Sequence, residues 1–277
     1  MIPPEFDYAA PASVDEAISL LAQHGDDAKL LAGGHSLLPL MKLRFAAPAL
    51  LVDLKNVGLS GISNGDGLTI GAGTRHVEIQ SGDYGLLTEA TKLIADQQVR
   101  NRGTIGGSIA HGDPASDPPA VVLAMDGTIN VKGPNGERQI AAADMFQDYL
   151  TTALADDEVV ISIDIPPYDG YGHAYLKFTR RAEDWAMVGV AALVKVEGGA
   201  FSDVRVGLTH MGTTPLRATA VEQALNGQPA TADAIAVAAQ AAAEGTDPPA
   251  DLNATADYKR HLAQVMVRRA LTQAAGL

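Results

Sequence analysis

Gln98–Ala120 reads QVRNRGTIGGSIAHGDPASDPPA, and the apolar run AVVLAM closes it from Ala120 to Met125. The stretch is dense in glycine, small polar residues and proline, which suits a backbone that turns tightly and comes close to something. Gly103, Gly106 and Gly107 carry no Cβ and can take φ > 0, so successive N–H groups can point into one concavity and hold an anion such as a phosphate. A second stretch, LLAGGHSLLPLM from Leu30 to Met41, follows an apolar run and offers the same surface at Gly33, Gly34, His35 and Ser36. Two such loops can clamp one diphosphate. Each taken alone reads equally as an ordinary tight turn, since single glycine motifs match by chance. Neither G-x-x-x-x-G-K-[ST] nor G-x-G-x-x-G occurs, so the P-loop and the Rossmann fingerprint are absent. Both loops also approach the serine-hydrolase pattern G-x-S-x-G and miss it, because Leu38 and Ala110 stand where the closing glycine is needed.

The segments AGGHSLLPLMKLR (Ala32–Arg44) and VRNRGTIGGSIAHGDPASD (Val99–Asp117) together resemble the FAD-binding medium subunit of molybdenum hydroxylases, the carbon monoxide dehydrogenase and xanthine dehydrogenase group. The resemblance covers essentially the whole chain. It implies that both loops hold the FAD diphosphate, through Leu31, Ala32, Gly33, Gly34, His35, Ser36 and Leu37 in the first. In the second it implies Thr104, Gly106, Gly107 and Ser108, where Ser108 replaces an asparagine seen in many relatives. It also implies non-covalent FAD, although His35 has the chemistry for a covalent link.

Composition sets bounds on function. With 277 residues, 47% of them hydrophobic and 19% charged, the chain is long enough for a sizeable core and reads as a globular protein. A formal charge of -13 argues against nucleic acid or an anionic membrane as partner. It does not argue against a buried diphosphate: distant carboxylates are screened within roughly 8 Å, whereas each charge-assisted hydrogen bond in contact contributes about 1.5–3 kcal/mol. The chain has no cysteine, which excludes disulfides, cysteine nucleophiles and cysteine-ligated iron–sulfur clusters within it. The N-terminus MIPPEFDYAAP lacks the charged and apolar regions of a signal peptide, and no run of 18 apolar residues occurs, so a cytoplasmic protein without a membrane span is expected.

Ser13-Val-Asp-Glu16 fits a capping box for a helix to His24 closed by Gly25, followed by buried strands at Lys29–Ala32 and Leu50–Leu54. Strand, helix, strand suggests a small parallel α/β subdomain over about residues 1–55. From Gly58 short strands take over, with a hairpin signal at Asn64-Gly65, helices at Val77–Ser81 and Gly85–Ile94, and strands at Thr128–Lys132 and Val159–Ile165. Pro166–Gly170 marks a boundary. Beyond it HAYLKFT, MVGVAALVKVEGG and SDVRVGLTHMG read as three strands, and Arg217–Leu225, Ala232–Glu244 and Ala256–Ala274 as helices, the last with Lys259, Arg260, Arg268 and Arg269 mostly outward. The expected class is α+β. A two-subdomain FAD-binding domain spans 1–169, with an antiparallel sheet and helices over 56–169, and precedes a C-terminal flavoprotein domain over 170–277 with a three-stranded antiparallel sheet and a helical bundle.

Further candidates lie outside the loops. His111 and Asp113 continue the central stretch toward Asp117, which the resemblance places on the ribose or adenosine side of FAD; Asp117-Pro118-Pro119 reads equally as a helix start. Trp185, the only tryptophan, is either a stacking face for the flavin or plain core. Lys177 resembles a lysine near the flavin in relatives, with Leu176 the competing register, and a cation there would stabilise the reduced anionic ring. Ile161 is a candidate apolar wall. The histidines, at 24, 35, 76, 111, 173, 210 and 261, show no zinc-ligand spacing, and no catalytic triad can be assembled.

The resemblance thus implies an electron-transfer subunit. A large molybdopterin subunit would oxidise the substrate, and a small subunit with two two-iron two-sulfur clusters would pass electrons to FAD here. A quinone, oxygen or another acceptor would take the electrons, and the assembly would be a dimer of heterotrimers. A stand-alone FAD-dependent oxidoreductase and a non-redox flavin-binding module are the alternatives.

Overall fold

A computed structural model describes residues 2–277; Met1, where the expected N-terminal subdomain begins, lies outside the described residues. The chain opens with β1 (Asp7–Ala9), α1 (Val14–His24) and β2 (Ala28–Leu31), then α2 (Leu37–Lys42) and β3 (Leu50–Asp53). The sheet order is β1-β3-β2 with both pairings parallel, so the parallel subdomain forms as the pattern indicates. Ser13 Oγ accepts from the Glu16 N–H at 3.1 Å, but the Glu16 carboxylate reaches the N–H of Ala12 rather than that of Ser13, so the capping box closes one residue early. Ala17, Ile18 and Leu21 bury the inner face of α1 against Leu50 and Val52.

The next elements are β4 (Ile62–Gly65), β5 (Gly67–Gly71), α3 (His76–Gln80), α4 (Leu86–Lys92) and α5 (Gln97–Arg100). The hairpin turn is displaced from Asn64-Gly65: Asn64 pairs with Leu68 and Gly65 with Gly67, leaving Asp66 at the tip. Gly67 has φ 102°, which glycine adopts without strain. The central stretch, expected as a loop up to Asp117, is largely helical: α6 (Ile105–His111) lies inside it, and α7 (Asp117–Ala124) begins at Asp117-Pro118-Pro119, as the helix-start reading of those residues has it. Helix α7 is buried along its whole length because it is apolar all round and lies between layers. There follow β6 (Thr128–Gly133), β7 (Gly136–Ala141), α8 (Ala142–Met145), the small hairpin β8 (Phe146–Asp148) and β9 (Thr151–Thr152), and β10 (Val159–Ile165). These build a five-stranded sheet in the order β4-β5-β10-β6-β7, antiparallel throughout.

The C-terminal part contains β11 (Tyr171–Phe178), β12 (Val188–Glu197), β13 (Ala200–Thr209) and β14 (Leu216–Arg217), then α9 (Thr219–Leu225), α10 (Ala232–Ala238) and α11 (Ala256–Ala275). The sheet is four-stranded, not three-stranded: Leu216 and Arg217 pair with Leu208 and Gly207, so α9 starts later than expected. Arg217 is held in that edge strand by Asp126 and Glu222. The expected outward face of α11 also needs correction, since Lys259 is 0% exposed and its Nζ lies 2.6 Å from Asp251.

The alternation of side chains across this sheet decides what reaches the site. Ala174, Val190, Ala192, Val194, Val206 and Leu208 pack against the C-terminal helices. Tyr175, Ala191 and Leu193 face the other way and join the core built by the five-stranded sheet, α4 and α7. One sheet thus closes two cores.

Candidate functional site

The two glycine stretches lie side by side on a cleft of about 1090 Å³. The first is the connection from the end of β2 into α2. Gly34 takes φ 77°, in the region where a Cβ is strained. None of the N–H groups from Gly33 to Leu37 finds an acceptor among the described residues. Unbonded amides at a cleft wall are donors available to an anion.

The second stretch works differently. Gly103, Gly106 and Gly107 do not have positive φ, contrary to the expectation for a nest. Their glycines serve close approach: a Cβ on Gly106 would lie 2.5 Å from Ala72 Cβ, and one on Gly103 2.9 Å from the His76 ring. A Cβ on Gly33 would lie 2.5 Å from the Arg102 carbonyl oxygen, so the two loops touch through their glycines. Here the amides are already bonded. The Ile105 N–H donates to Thr74 O, Gly106 to Ala72 O and Ser108 to Thr104 O, and Thr104 Oγ1 caps α6 by accepting from Gly107. Beside the glycine backbone, the polar side chains that this loop brings to the cleft are those of Thr104, Ser108 and His111.

Of the expected residues, those from Ala32 to Leu37, Thr104, Gly106, Gly107, Ser108, His111, Asp117, Lys177 and Trp185 all line the cleft. Leu31, Asp113 and Ile161 do not. Asp113 accepts from the Ala115 N–H in a local turn at 2.8 Å. Ile161 is the extra residue of a bulge, since Val160 and Ser162 pair with adjacent residues of β6; its neighbours Val159 and Val160 reach the cleft instead.

Asp117, the first residue of α7, is 3% exposed and ties the two halves of the chain together. The Tyr175 hydroxyl donates to its Oδ1 at 2.6 Å and the Lys177 ammonium to its Oδ2 at 2.9 Å, with a further bond from Lys177 to the Leu93 carbonyl. Burial raises the Asp117 carboxyl, opposed by the Lys177 charge and by both hydrogen bonds. Tyr175 and Lys177 share one face of β11, while Leu176 packs on the C-terminal core, so Lys177 is the residue on the cleft. Trp185 is 61% exposed at the rim, which removes the reading of it as core.

Three features were not apparent in the sequence. Arg102 lines the cleft and makes no ion pair among the described residues, and its charge together with burial lowers His35. It lay within the quoted stretch, but nothing in the pattern separated it from Arg100. His76, 3% exposed, stands behind the second loop. The β8–β9 hairpin contributes Leu150, Thr151 and Thr152 to the cleft; its turn has Leu150 at φ 53° in place of a glycine or asparagine, so no turn signal marks it.

This geometry fits FAD. A row of unbonded amides and the Arg102 guanidinium, which makes no ion pair among the described residues, suit its diphosphate, and the exposed Trp185 indole on the same cleft offers a face to its ring.

Comparison with known proteins agrees. The family described as the FAD binding domain in molybdopterin dehydrogenase matches residues 4–168, and the CO dehydrogenase flavoprotein C-terminal domain matches residues 173–274. The carbon monoxide dehydrogenase medium chain of Hydrogenophaga pseudoflava is 46% identical over 99% of this chain and 98% of its own. The glyceraldehyde dehydrogenase medium chain of Sulfolobus acidocaldarius is 36% identical over 99% of this chain and 100% of its own. Among solved structures, quinoline 2-oxidoreductase from Pseudomonas putida superposes with a TM-score of 0.95 at 33% identity, covering 100% of this chain and 99% of that one. The chain therefore belongs to the FAD-binding medium-subunit family of carbon monoxide dehydrogenase and xanthine dehydrogenase, oxidoreductase subunits of molybdenum hydroxylases.

Proposed function

We propose that this chain is the electron-transfer subunit of a heteromeric molybdenum hydroxylase, set between the iron–sulfur clusters of a small subunit and an external acceptor such as a quinone or oxygen. The observation that carries this reading is the cleft, whose unbonded amides from Gly33 to Leu37 stand with the Arg102 guanidinium as donors suited to a dinucleotide. Bound FAD supplies the chemistry of accepting electrons and releasing them singly or in pairs. The unbonded amides from Gly33 to Leu37 hold the diphosphate, and Arg102 adds the cation that an anionic ligand requires. Trp185 stacks beside the flavin ring, and Lys177, its charge shared with Asp117, sets the local potential without leaving a free positive charge.

The absence of cysteine fits a division of labour in which the clusters reside on another polypeptide. A large molybdopterin subunit then selects and oxidises the substrate, and the whole assembles as a dimer of heterotrimers. Chains of this one fold are named for carbon monoxide, glyceraldehyde and caffeine, which supports placing substrate choice outside this subunit.

The test starts from the purified chain. A visible flavin spectrum, with release of stoichiometric FAD on denaturation and quenching of Trp185 emission in the holo form, supports the cofactor site. Reduction of that FAD by substrate only when the large and small subunits are added supports the relay. Reduction by a small substrate without partners overturns it in favour of a stand-alone oxidoreductase.

A further inference from the structure

The second glycine loop has spent its amides from Ile105 to Ser108 within the protein, yet it faces the same cleft as the first. Of the two hydroxyls it turns toward the cleft, that of Thr104 is anchored as the cap of α6, whereas that of Ser108 caps nothing. Serines and threonines in the other helices of this chain, or closing them, commonly return that group to the carbonyl four residues back: Ser19 to Asp15, Ser81 to Val77, Thr91 to Leu87 and Thr272 to Arg268. Ser108 does not. Its one partner among the described residues is His76, whose Nε2 lies 3.2 Å from Ser108 Oγ.

Which atom donates follows from the other ring nitrogen. His76 Nδ1 is buried and has no partner among the described residues. A proton on Nδ1 would leave an orphaned buried N–H, the arrangement that folded proteins avoid most; a bare lone pair there costs less. The ring is also kept neutral, since burial pushes it down to about 4, helped by the charges of Arg100 and His35. The single proton thus sits on Nε2 and points at Ser108 Oγ. The ring itself is fixed by its own backbone, because the His76 N–H donates to Gly103 O at 2.9 Å and Gly103 packs against its edge.

We propose that His76 is a positioning residue whose Nε2–H donates to Ser108 Oγ and so turns the Ser108 hydroxyl hydrogen into the cleft, toward a phosphate oxygen of a bound dinucleotide. The inference rests on the reading of the cleft as the FAD site. It makes the two loops chemically complementary: backbone donors on one side, a tautomer-fixed side-chain donor on the other.

The test uses the purified full chain, stripped of flavin and titrated with FAD by calorimetry, with the phosphorus resonances of bound FAD recorded by NMR. Ser108→Ala and His76→Leu are each expected to weaken FAD binding roughly tenfold or more, as the loss of one hydrogen bond to a charged group does. The double variant is expected to bind no more weakly than either single one, with the same phosphorus resonance displaced in all three. His76→Gln, whose amide N–H can take the place of Nε2–H, is expected to restore most of the affinity. Additive losses, or unchanged affinity and unshifted phosphorus resonances in Ser108→Ala, would overturn the proposal. Ser108→Ala alone decides it if His76→Leu fails to fold. Wild-type chain that binds no FAD would instead overturn the cleft assignment, and this proposal with it.

Discussion

At the scale of single residues, the site is defined by which groups are charged. His76 is buried neutral, with its folded-state value pushed down to about 4 from an ordinary 6.5. Between those values the unfolded chain binds a proton that the native state does not, so stability rises with pH through this window and falls on acidification. The charged groups acting on His76 are Arg100 and the neighbouring His35, and both oppose its protonation. The full shift corresponds to about 3 kcal/mol lost between about pH 7 and about pH 4. Urea denaturation of wild type and His76→Gln across that range should show a steeper pH dependence in the wild type, by up to one proton. Equal slopes would mean that His76 is protonated in the native state. Burial likewise lowers His111 and His210, so a residual slope is expected in the variant.

At the scale of elements, the cleft exists because glycines let backbones meet. Gly106, in the first turn of α6, leaves no room for a Cβ beside Ala72, which is itself 6% exposed and donates its N–H to Ile161 O. Gly106→Ala should therefore destabilise the chain by about 1–3 kcal/mol through overpacking. Gly34→Ala should cost about 1–2 kcal/mol for its left-handed backbone and also displace the free amides around it. Chemical denaturation reads the first effect, and FAD retention should fall further in Gly34→Ala than in Gly106→Ala at matched stability. The positions of both loops were legible in the sequence, and so was the strand that carries Lys177, but not which of Leu176 and Lys177 faces the cleft, since the pattern left that register open. The role of each glycine was not legible either. Composition says that a residue lacks a Cβ but not whether φ or a neighbour demands it, and the neighbours of Gly33 and Gly106 are distant in sequence. For the same reason the edge strand β14, two residues long and held by Asp126 and Glu222, left no periodic trace.

For the whole molecule, α7 is the joint between the two halves. The Arg205 and Arg217 side chains reach Asp126 just beyond its end, the His210 N–H donates to Pro114 O just before it, and the Asp117 ion pair lies between. Because Asp117 and Lys177 side chains are only 3% and 4% exposed, solvent does little to screen their interaction. Removing one partner leaves the other charge buried and unpaired, at a cost of about 3–5 kcal/mol, whereas replacing both with apolar groups of similar size is often close to neutral. Lys177→Met and Asp117→Asn are thus expected to lower stability by that amount each, and Asp117→Leu/Lys177→Met to recover most of the loss. If the pair is the latch between the halves, the single variants should also split one cooperative unfolding transition into two, as followed by Trp185 fluorescence and far-UV circular dichroism together. A single coincident transition in both variants would mean that the shared core around Tyr175, Ala191 and Leu193 couples the halves without the ion pair.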